Sequence, residues 1–309
     1  MKITNASGAN INSLFKNKNI PIIMLAGGYQ TSFGVENIAG SFKNVFYSPP
    51  SPLFGEVEHR VRKLLEQSEK KRFKFFNDTL ARLDCFRQNQ NGKLSIVFSK
   101  TTYFHFAALN KCLDEPISGE KHASLRSFLQ ENPAELEKSK LPNPLGVIVS
   151  LILEPEMKIV LAKRSTRNFE GSGVMSTPIG GSLSLGSGDV DDSGIPNPFK
   201  TVVREAKEEI GIDLSETQIT FFGLGRDLLT LKPELLGEVR INLTEKELRQ
   251  IWQNKPIDWW EAEEKIFVDL SPEKLSPYLK DYNWSAAGWA CTLMSMLRQK
   301  HSPVYDLDL

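Results

Sequence analysis

Residues 204–212 constrain this chain more than any other segment, and they read REAKEEIGI. In a helix, Glu205, Glu208 and Glu209 stand at positions i, i+3 and i+4, so the three carboxylates share one side. Gly211 follows as a helix-ending residue, because glycine readily adopts the left-handed conformation found at helix C-termini. The segment therefore predicts a helix with one acidic side that ends at Gly211.

The same helix carries an apolar stripe, formed by Val202, Val203, Ala206 and Ile210, that can pack against a core. Three clustered carboxylates repel one another unless a cation neutralises them. Hard divalent cations prefer oxygen ligands, so Mg²⁺ is the expected ion and Mn²⁺ an alternative. Such an ion binds a diphosphate and activates a water molecule. The pattern favours a metal-dependent phosphorus–oxygen hydrolase, whereas a solvated acidic helix face is the alternative interpretation.

Composition narrows the classes of partner. The chain has 309 residues, enough for one large or two ordinary domains. Its 38 basic and 38 acidic residues balance, so no overall field attracts nucleic acid or an anionic membrane. The longest apolar runs, 20–26 and 145–153, are too short to span a bilayer. We therefore expect a small-molecule substrate and neither nucleic acid nor a membrane, whereas the oligomeric state is not determined by these features.

Cysteine usage indicates a reducing compartment. Cys85, Cys112 and Cys291 are scattered and odd in number, so a disulfide framework is not expected. Such usage fits the cytoplasm, and the first residues lack the apolar run of a signal peptide. The four histidines show no metal-ligand spacing, so any metal should be held by oxygen. We therefore expect a cytoplasmic protein.

The order of strand and helix patterns predicts two parts. In the first, the apolar run 20–26 is typical of a buried strand, and 93–99 alternates as a strand does. A polar segment with three prolines, 131–144, indicates a boundary. We therefore predict an N-terminal α/β domain over residues 1–140 and a second domain over residues 141–309.

The second part reads as a mixed sheet sandwiched between helices, an α/β (α+β) arrangement. Two strands open it, and a Gly/Ser/Asp-rich segment then leads into the acidic helix. Strands are predicted at 145–153, 158–164, 219–224, 236–242 and 265–268, and a last helix at 285–299.

The string REAKEEIGI matches REUxEExGU, the second half of the Nudix box, at every specified position. The chain therefore resembles the Nudix hydrolases. The upstream half of the box departs from the pattern: if Gly181 is its glycine, the loop to Arg204 is nine residues too long, and Pro196 occupies the place of the intermediate glutamate. Loop acids either replace that glutamate or are simply solvated; they are Asp189, Asp191 and Asp192.

Several segments, in their order along the chain, resemble the UDP-glucose/UDP-galactose pyrophosphatase branch of the Nudix hydrolases, which has an extra N-terminal domain. They are residues 20–28, 75–83, 100–110, 143–147, 163–165 and 284–288. The resemblance implies a Nudix-type mixed sheet with an N-terminal α/β extension, and Mg²⁺-dependent hydrolysis of a UDP-sugar to UMP and sugar 1-phosphate. Two other readings stay open: hydrolysis of another nucleoside diphosphate, such as ADP-ribose, and a nucleotide-binding regulatory protein.

The resemblance also implies roles for the acidic helix. Glu205 and Glu209 would hold the metal, with Glu208 as a further carboxylate of the metal site. Either Glu208 or Glu209 would accept a proton during catalysis. Arg204 would belong to the catalytic group by orienting these carboxylates through pairing rather than by touching substrate.

Four residues elsewhere are implied to bind substrate. Phe76 and Tyr103 would help bind the nucleotide, since aromatic faces stack on bases. Arg164 would bind phosphate, because a guanidinium fork suits diphosphate oxygens. Ser285 would touch substrate. The alternative readings are a core residue for Phe76, a strand aromatic for Tyr103, a surface base for Arg164 and a helix N-cap for Ser285.

Overall fold

The computed structural model describes residues 11–71, 75–117, 124–166 and 173–299. Its strands are β1 (Ile22–Gly27), β2 (Ile38–Phe46), β3 (Thr79–Gln88), β4 (Leu94–Thr102), β5 (Gly146–Leu153), β6 (Lys158–Arg164), β7 (Met175–Ser176), β8 (Ile179–Ser182), β9 (Ile219–Asp227), β10 (Pro233–Ile241) and β11 (Ala262–Asp269). Its α-helices are α1 (Ile11–Asn17), α2 (Phe54–Lys71), α3 (Tyr103–Leu109), α4 (Leu125–Leu129), α5 (Pro198–Glu205), α6 (Glu245–Gln253), α7 (Pro272–Asp281) and α8 (Ala286–Gln299). Single 3₁₀ turns span Val35–Asn37, Ser51–Leu53, Leu136–Lys138, Glu154–Glu156, Glu216–Gln218 and Trp259–Glu261.

A mixed sheet of eight strands forms the centre of the fold. Its order is β1-β9-β10-β5-β6-β11, with β8 beside β5 and β7 beside β6. Only the β10–β5 pair among these is parallel. The strands predicted around 145–153, 158–164, 219–224, 236–242 and 265–268 are all confirmed as members of this sheet.

Both faces of the large sheet are buried, which explains the nearly continuous apolar run of β5. Val147, Val149 and Leu151 point into a core that also contains Phe199 of α5 and Leu248 of α6. Ile152 points into the opposite core with Phe15 of α1, Leu275 of α7 and Leu293 of α8. The predicted mixed sheet between helices is therefore confirmed, and the acidic helix lies on one defined face of it.

A smaller sheet of three strands, in the order β2-β4-β3, packs against the same core as α5. Leu94, Ile96 and Phe98 alternate inward along β4, as predicted for residues 93–99. The outer edge of β3 is bonded to the chain that leaves β8: the Ala81 N–H donates to the Leu183 carbonyl at 3.0 Å. The smaller sheet is thereby fixed beside β8.

The polar segment 131–144 is tied to the large sheet by Arg226 of β9. The Arg226 side chain is fully buried, forms an ion pair with Glu131 at 3.6 Å and donates to Asn143 Oδ1 at 3.1 Å. In addition, β1 pairs with β9, so a strand from residues 1–140 belongs to the large sheet. The division into domains 1–140 and 141–309 stays a prediction. Among the described helices, none combines the length and apolarity needed to cross a bilayer.

Replacing Arg226 with methionine should lower the free energy of unfolding by about 3–5 kcal/mol, because the Glu131 carboxylate would lose its charged partner and the buried Leu231 carbonyl would lose its donor. Urea denaturation measures the change. Arg87→Met, at an exposed position in β3, is the control and should change it by less than about 0.5 kcal/mol. Similar small effects for both variants would contradict the role of Arg226 as a buried clamp.

Candidate active site

The acidic helix begins and ends with identifiable caps. Asn197 accepts a hydrogen bond from the Phe199 N–H at 2.9 Å, and Pro198 occupies the first helical position. Helix α5 then continues as one π-helical turn, Ala206–Ile210, and stops at Gly211 with φ of +87°. The predicted helix and its end at Gly211 are confirmed. The π-helical turn was not predicted, and such turns are frequent at functional sites.

Arg204 holds the acidic side together. Its guanidinium is within 2.9 Å of Glu205 Oε1 and of Glu208 Oε2. It also donates twice to Asp189, through Nε at 3.0 Å and Nη2 at 2.9 Å. The Ser184 N–H donates to the same Asp189 carboxylate at 3.0 Å. Arg204 thus pairs with the acidic cluster, whereas its part in catalysis stays a prediction.

Two of the loop acids considered as replacements for the missing glutamate have other partners, and the third is exposed. Asp189 is 2% exposed and is bound on both oxygens by Arg204 and Ser184. Asp191 accepts from two N–H groups of its own turn, and Asp192 is exposed. The Asp189 carboxylate is therefore an orienting partner of Arg204, and the Asp189 carbonyl also accepts from the N–H of Asn197, which caps the start of the acidic helix, at 2.9 Å.

The glycines of β8 lie directly against two of the carboxylates. The Gly180 N–H donates to Glu209 Oε2 at 3.1 Å. A Cβ atom on Gly181 would stand 1.8 Å from Glu205 Oε1, so a side chain at this position is incompatible with the observed place of Glu205. The acidic helix therefore packs against the glycines of β8, although the loop that joins β8 to this helix is nine residues longer than the pattern.

A small cavity opens beside Glu209. Its polar lining comes from Arg164, Thr177, Glu209, Asp258, Glu261 and Lys265. Arg164 pairs with Glu261 at 3.5 Å, and Lys265 Nζ donates to the Glu209 carbonyl at 3.3 Å. The structure thus brings Arg164 next to the acidic helix. Sequence reasoning missed Asp258, Glu261 and Lys265, which lie in a segment with many acids and no recognisable spacing.

Burial makes these charges costly. It raises the pKa of Glu205 to about 8; Arg204 acts against this, whereas Glu208 and Glu261 raise the pKa further. Burial likewise holds the pKa of Glu209 well above its usual range, and the neighbouring carboxylates of Glu205 and Glu261 add to the effect. A bound cation would lower the raised pKa values of these carboxyl groups, because a nearby positive charge favours the ionised form.

The carboxylate oxygens of Glu205, Glu208 and Glu209 are chemically suited to bind a hard divalent cation, because such cations prefer oxygen ligands and would offset the repulsion among these groups. Within the described ranges, however, no three Asp, Glu, His or Cys side chains converge on a single metal position. Arg204 occupies one oxygen of Glu205 and one of Glu208, and Gly180 occupies one of Glu209. Oxygens of Glu205 and Glu209 beyond these contacts are the ones that a cation would use.

Ser285 lies close to the site cavity and is also a helix cap. Its Oγ accepts from the Gly288 N–H at 3.2 Å, as predicted for an N-cap of the last helix. The same Oγ is 3.1 Å from Ser176 Oγ, and Ser176 precedes Thr177 of the cavity wall. Contact between Ser285 and substrate stays a prediction.

Of the two aromatic residues, Phe76 precedes β3 of the smaller sheet and Tyr103 lies in α3, which follows β4. Phe76 is 65% exposed, so the alternative reading as a core residue is wrong. Tyr103 is the first residue of α3 because Thr102 caps that helix by accepting from the His105 N–H, so the strand reading is also wrong. The Tyr103 ring lies 5.8 Å from the ring of Phe75. Nucleotide binding by Phe76 and Tyr103 stays a prediction.

Comparison with solved structures gives similarities over about half of the chain. A Deinococcus radiodurans protein is 15% identical, with a TM-score of 0.34, over 49% of this chain and 80% of its own. A Francisella tularensis bifunctional NMN adenylyltransferase/ADP ribose pyrophosphatase, solved with AMP and manganese, is 14% identical, with a TM-score of 0.32, over 51% of this chain. An Enterococcus faecalis MutT/nudix family protein is 21% identical, with a TM-score of 0.29, over 48% of this chain.

The matches span only 42% of the Francisella protein and 52% of the Enterococcus protein. No protein-family model matches the chain. No curated protein sequence matches it either. Similarity at this level does not assign the chain to a family.

Gly181→Ala should lower the free energy of unfolding by about 1–3 kcal/mol, the usual cost of overpacking, because the added methyl group displaces Glu205 from Arg204. Urea denaturation of the metal-free protein measures this. Gly55→Ala in α2 is the matched control, since no atom lies within 4 Å of its Cβ position, and it should be neutral or slightly stabilising. Equal stability of the two variants would contradict the close approach of Glu205.

Proposed function

We propose that this chain is a divalent-metal-dependent hydrolase of nucleoside diphosphate-linked compounds, and that it prefers a UDP-sugar, which it cleaves to UMP and sugar 1-phosphate. One observation carries the proposal: the carboxylates of Glu205, whose side chain is 13% exposed, and Glu209, which is buried, lie against the β8 glycines beside the cavity that Arg164 lines. A solvated acidic face would not bury these carboxylates or enclose them with arginines.

In this proposal Glu205 and Glu209 hold the metal, with Glu208 as a further carboxylate of the cluster. When bound, Mg²⁺ or Mn²⁺ lowers the pKa of a water and neutralises charge on the diphosphate. Arg204 keeps Glu205 and Glu208 in place through the contacts described above. Glu208, whose side chain is 29% exposed, and Glu209, which is 7% exposed, are the two candidates for the proton acceptor.

Arg164 is the proposed ligand of the diphosphate. Its guanidinium lines the cavity and pairs with Glu261 at 3.5 Å, so it is already oriented within the site. A planar guanidinium can bind two phosphate oxygens at once. Phosphate would then compete with Glu261 for Arg164, which couples substrate binding to the charge of the cavity wall.

The UDP-sugar preference rests on the order of matching segments along the chain and on the aromatic residues Phe76 and Tyr103. The exposed Phe76 ring can stack on a base without rearrangement of the core. Ser285 is a further proposed substrate contact. Its hydroxyl lies 3.1 Å from that of Ser176, the residue before Thr177 of the cavity wall.

A substrate panel with saturating Mg²⁺ tests the proposal, with products identified by chromatography. UDP-glucose or UDP-galactose should yield UMP and hexose 1-phosphate faster than ADP-ribose or a dinucleotide yields its products. Much faster cleavage of ADP-ribose would overturn the UDP-sugar preference and leave the hydrolase. Tight nucleotide binding without hydrolysis of any compound would instead indicate a binding protein.

Glu209→Gln should reduce turnover at saturating Mg²⁺ by about a hundredfold or more, because it removes a charge that holds the metal or accepts a proton. The melting temperature should not fall, since the amide relieves a buried charge. Glu264→Gln, at an exposed position in β11, is the control and should retain wild-type turnover. Wild-type turnover in Glu209→Gln would remove Glu209 from the site.

A further inference from the structure

We propose that Lys265 is a positioning residue of the candidate active site, which caps the C-terminal end of the acidic helix and fixes the backbone from which Glu209 projects. The inference rests on the proposed function, because it assigns a task to a residue behind the proposed metal ligands. Neither the acidic motif nor the segment resemblance includes Lys265.

The position of Lys265 is unusual for a lysine. The residue lies in β11 and is 4% exposed, whereas lysines are almost never fully buried without a partner. Among the described residues, no carboxylate forms an ion pair with its ammonium. Its contacts are the Glu209 carbonyl, 3.3 Å from Nζ, and the ring of Trp252, whose centroid is 4.1 Å away. The buried ammonium therefore acts as the hydrogen-bond donor to one carbonyl, that of Glu209.

The last carbonyls of a helix have no partners within the helix, so other groups must bind them. The Gly211 N–H donates to the carbonyls of Ala206 and Lys207, at 3.0 and 3.1 Å. These bonds come from the helix end itself. The next two carbonyls, those of Glu208 and Glu209, need donors from another part of the chain.

The segment around the start of β11 supplies both donors. The Asp258 N–H donates to the Glu208 carbonyl at 2.8 Å, and Lys265 Nζ donates to the Glu209 carbonyl. Four consecutive carbonyls are thereby satisfied, and the π-helical turn is closed. Lys265 is the only charged donor of this set, and lysine side chains are known to cap helix C-termini by hydrogen bonding the last carbonyls.

The field at this end of the helix favours a cation. The C-terminal end of a helix carries partial negative charge and disfavours further anions. Glu208 and Glu209 stand in that last turn, so their carboxylates add to an unfavourable field. The Lys265 ammonium offsets it from behind, while the Trp252 ring holds the ammonium through a cation–π contact.

Glu209 is consequently held by hydrogen bonds at both its side chain and its backbone. The Gly180 N–H binds its carboxylate and Lys265 binds its carbonyl. Without Lys265, the Glu209 carbonyl would turn toward other donors, and the Glu209 carboxylate would no longer be held in its orientation toward the cavity. Residues that orient metal ligands in this way affect metal affinity and turnover even though they touch neither metal nor substrate.

Lys265→Met tests the proposal, because methionine keeps the apolar stem and removes the donor and the charge. Lys232→Met is the matched control. Lys232 is also buried, at 8% exposure, and its ammonium lies 5.4 Å from the centroid of the Phe106 ring and 3.5 Å from the Glu234 carboxylate. Should Lys265→Met not fold, Lys265→Gln replaces it, since glutamine stays polar but is too short to reach the Glu209 carbonyl.

Two readouts separate positioning from general stability. In metal-free protein, amide hydrogen exchange at Gly211 and Ile212 should become at least about tenfold faster in Lys265→Met and stay unchanged in Lys232→Met, because only the former loosens the turn. Calorimetric titration with Mn²⁺ should give a dissociation constant about 10–100-fold higher in Lys265→Met alone. The kcat at saturating Mn²⁺ should fall, while KM for the best substrate changes little.

Wild-type exchange rates in Lys265→Met, or Mn²⁺ binding as tight as in the wild type, would overturn the proposal. Equal loss of Mn²⁺ affinity in Lys232→Met would also overturn it, since the effect would then follow from stability alone. A wild-type protein that neither binds Mn²⁺ nor hydrolyses any nucleoside diphosphate would overturn the proposed function, and with it the role of Lys265 in that function. The results that overturn the role of Lys265 come from the variants, and the result that overturns the proposed function comes from the unmodified chain, so the two failures are distinguishable.

Discussion

The arrangement of the acidic helix depends on one guanidinium, that of Arg204, which forms ion pairs with three carboxylates. Arg204 binds Asp189, Glu205 and Glu208 at once, and the planar fork of arginine permits this where lysine would not. Like charges brought together out of water would otherwise be protonated or pushed apart. Because Arg204 is itself held by the buried Asp189, the loop after β8 and the acidic helix form one unit. That unit is presented to the cavity by the sheet behind it.

The sheet gives this unit a rigid support. Residues of β5 point alternately into two separate cores, and helices close both faces, so the strands next to the site cannot shift independently. The close approach of Glu205 to Gly181 is possible only because that position has no side chain. Arg164 at the end of β6 and Lys265 in β11 come from neighbouring strands, so their spacing from each other is set by strand pairing rather than by loops.

The smaller sheet is joined to the site side of the molecule by backbone hydrogen bonds. Main-chain bonds connect β3 to the chain around Leu183 and Leu145, and Arg226 ties the polar segment 131–144 to β9. The first part of the chain is therefore continuous with the large sheet in its hydrogen bonding.

The sequence alone determined the features whose signals are local. Apolar runs and alternation predicted most strands of the large sheet, and the spacing of glutamates with Gly211 predicted the acidic helix and its end, because these patterns follow from helix and strand periodicity. The partners of the charges were decided by tertiary structure. The pairing of Asp189 with Arg204, the capping of Glu209 by Lys265 and the placing of Glu261 beside Arg164 join residues far apart in the chain. No periodicity encodes such pairs, since which groups meet depends on how the strands are ordered and on which charges burial forces together.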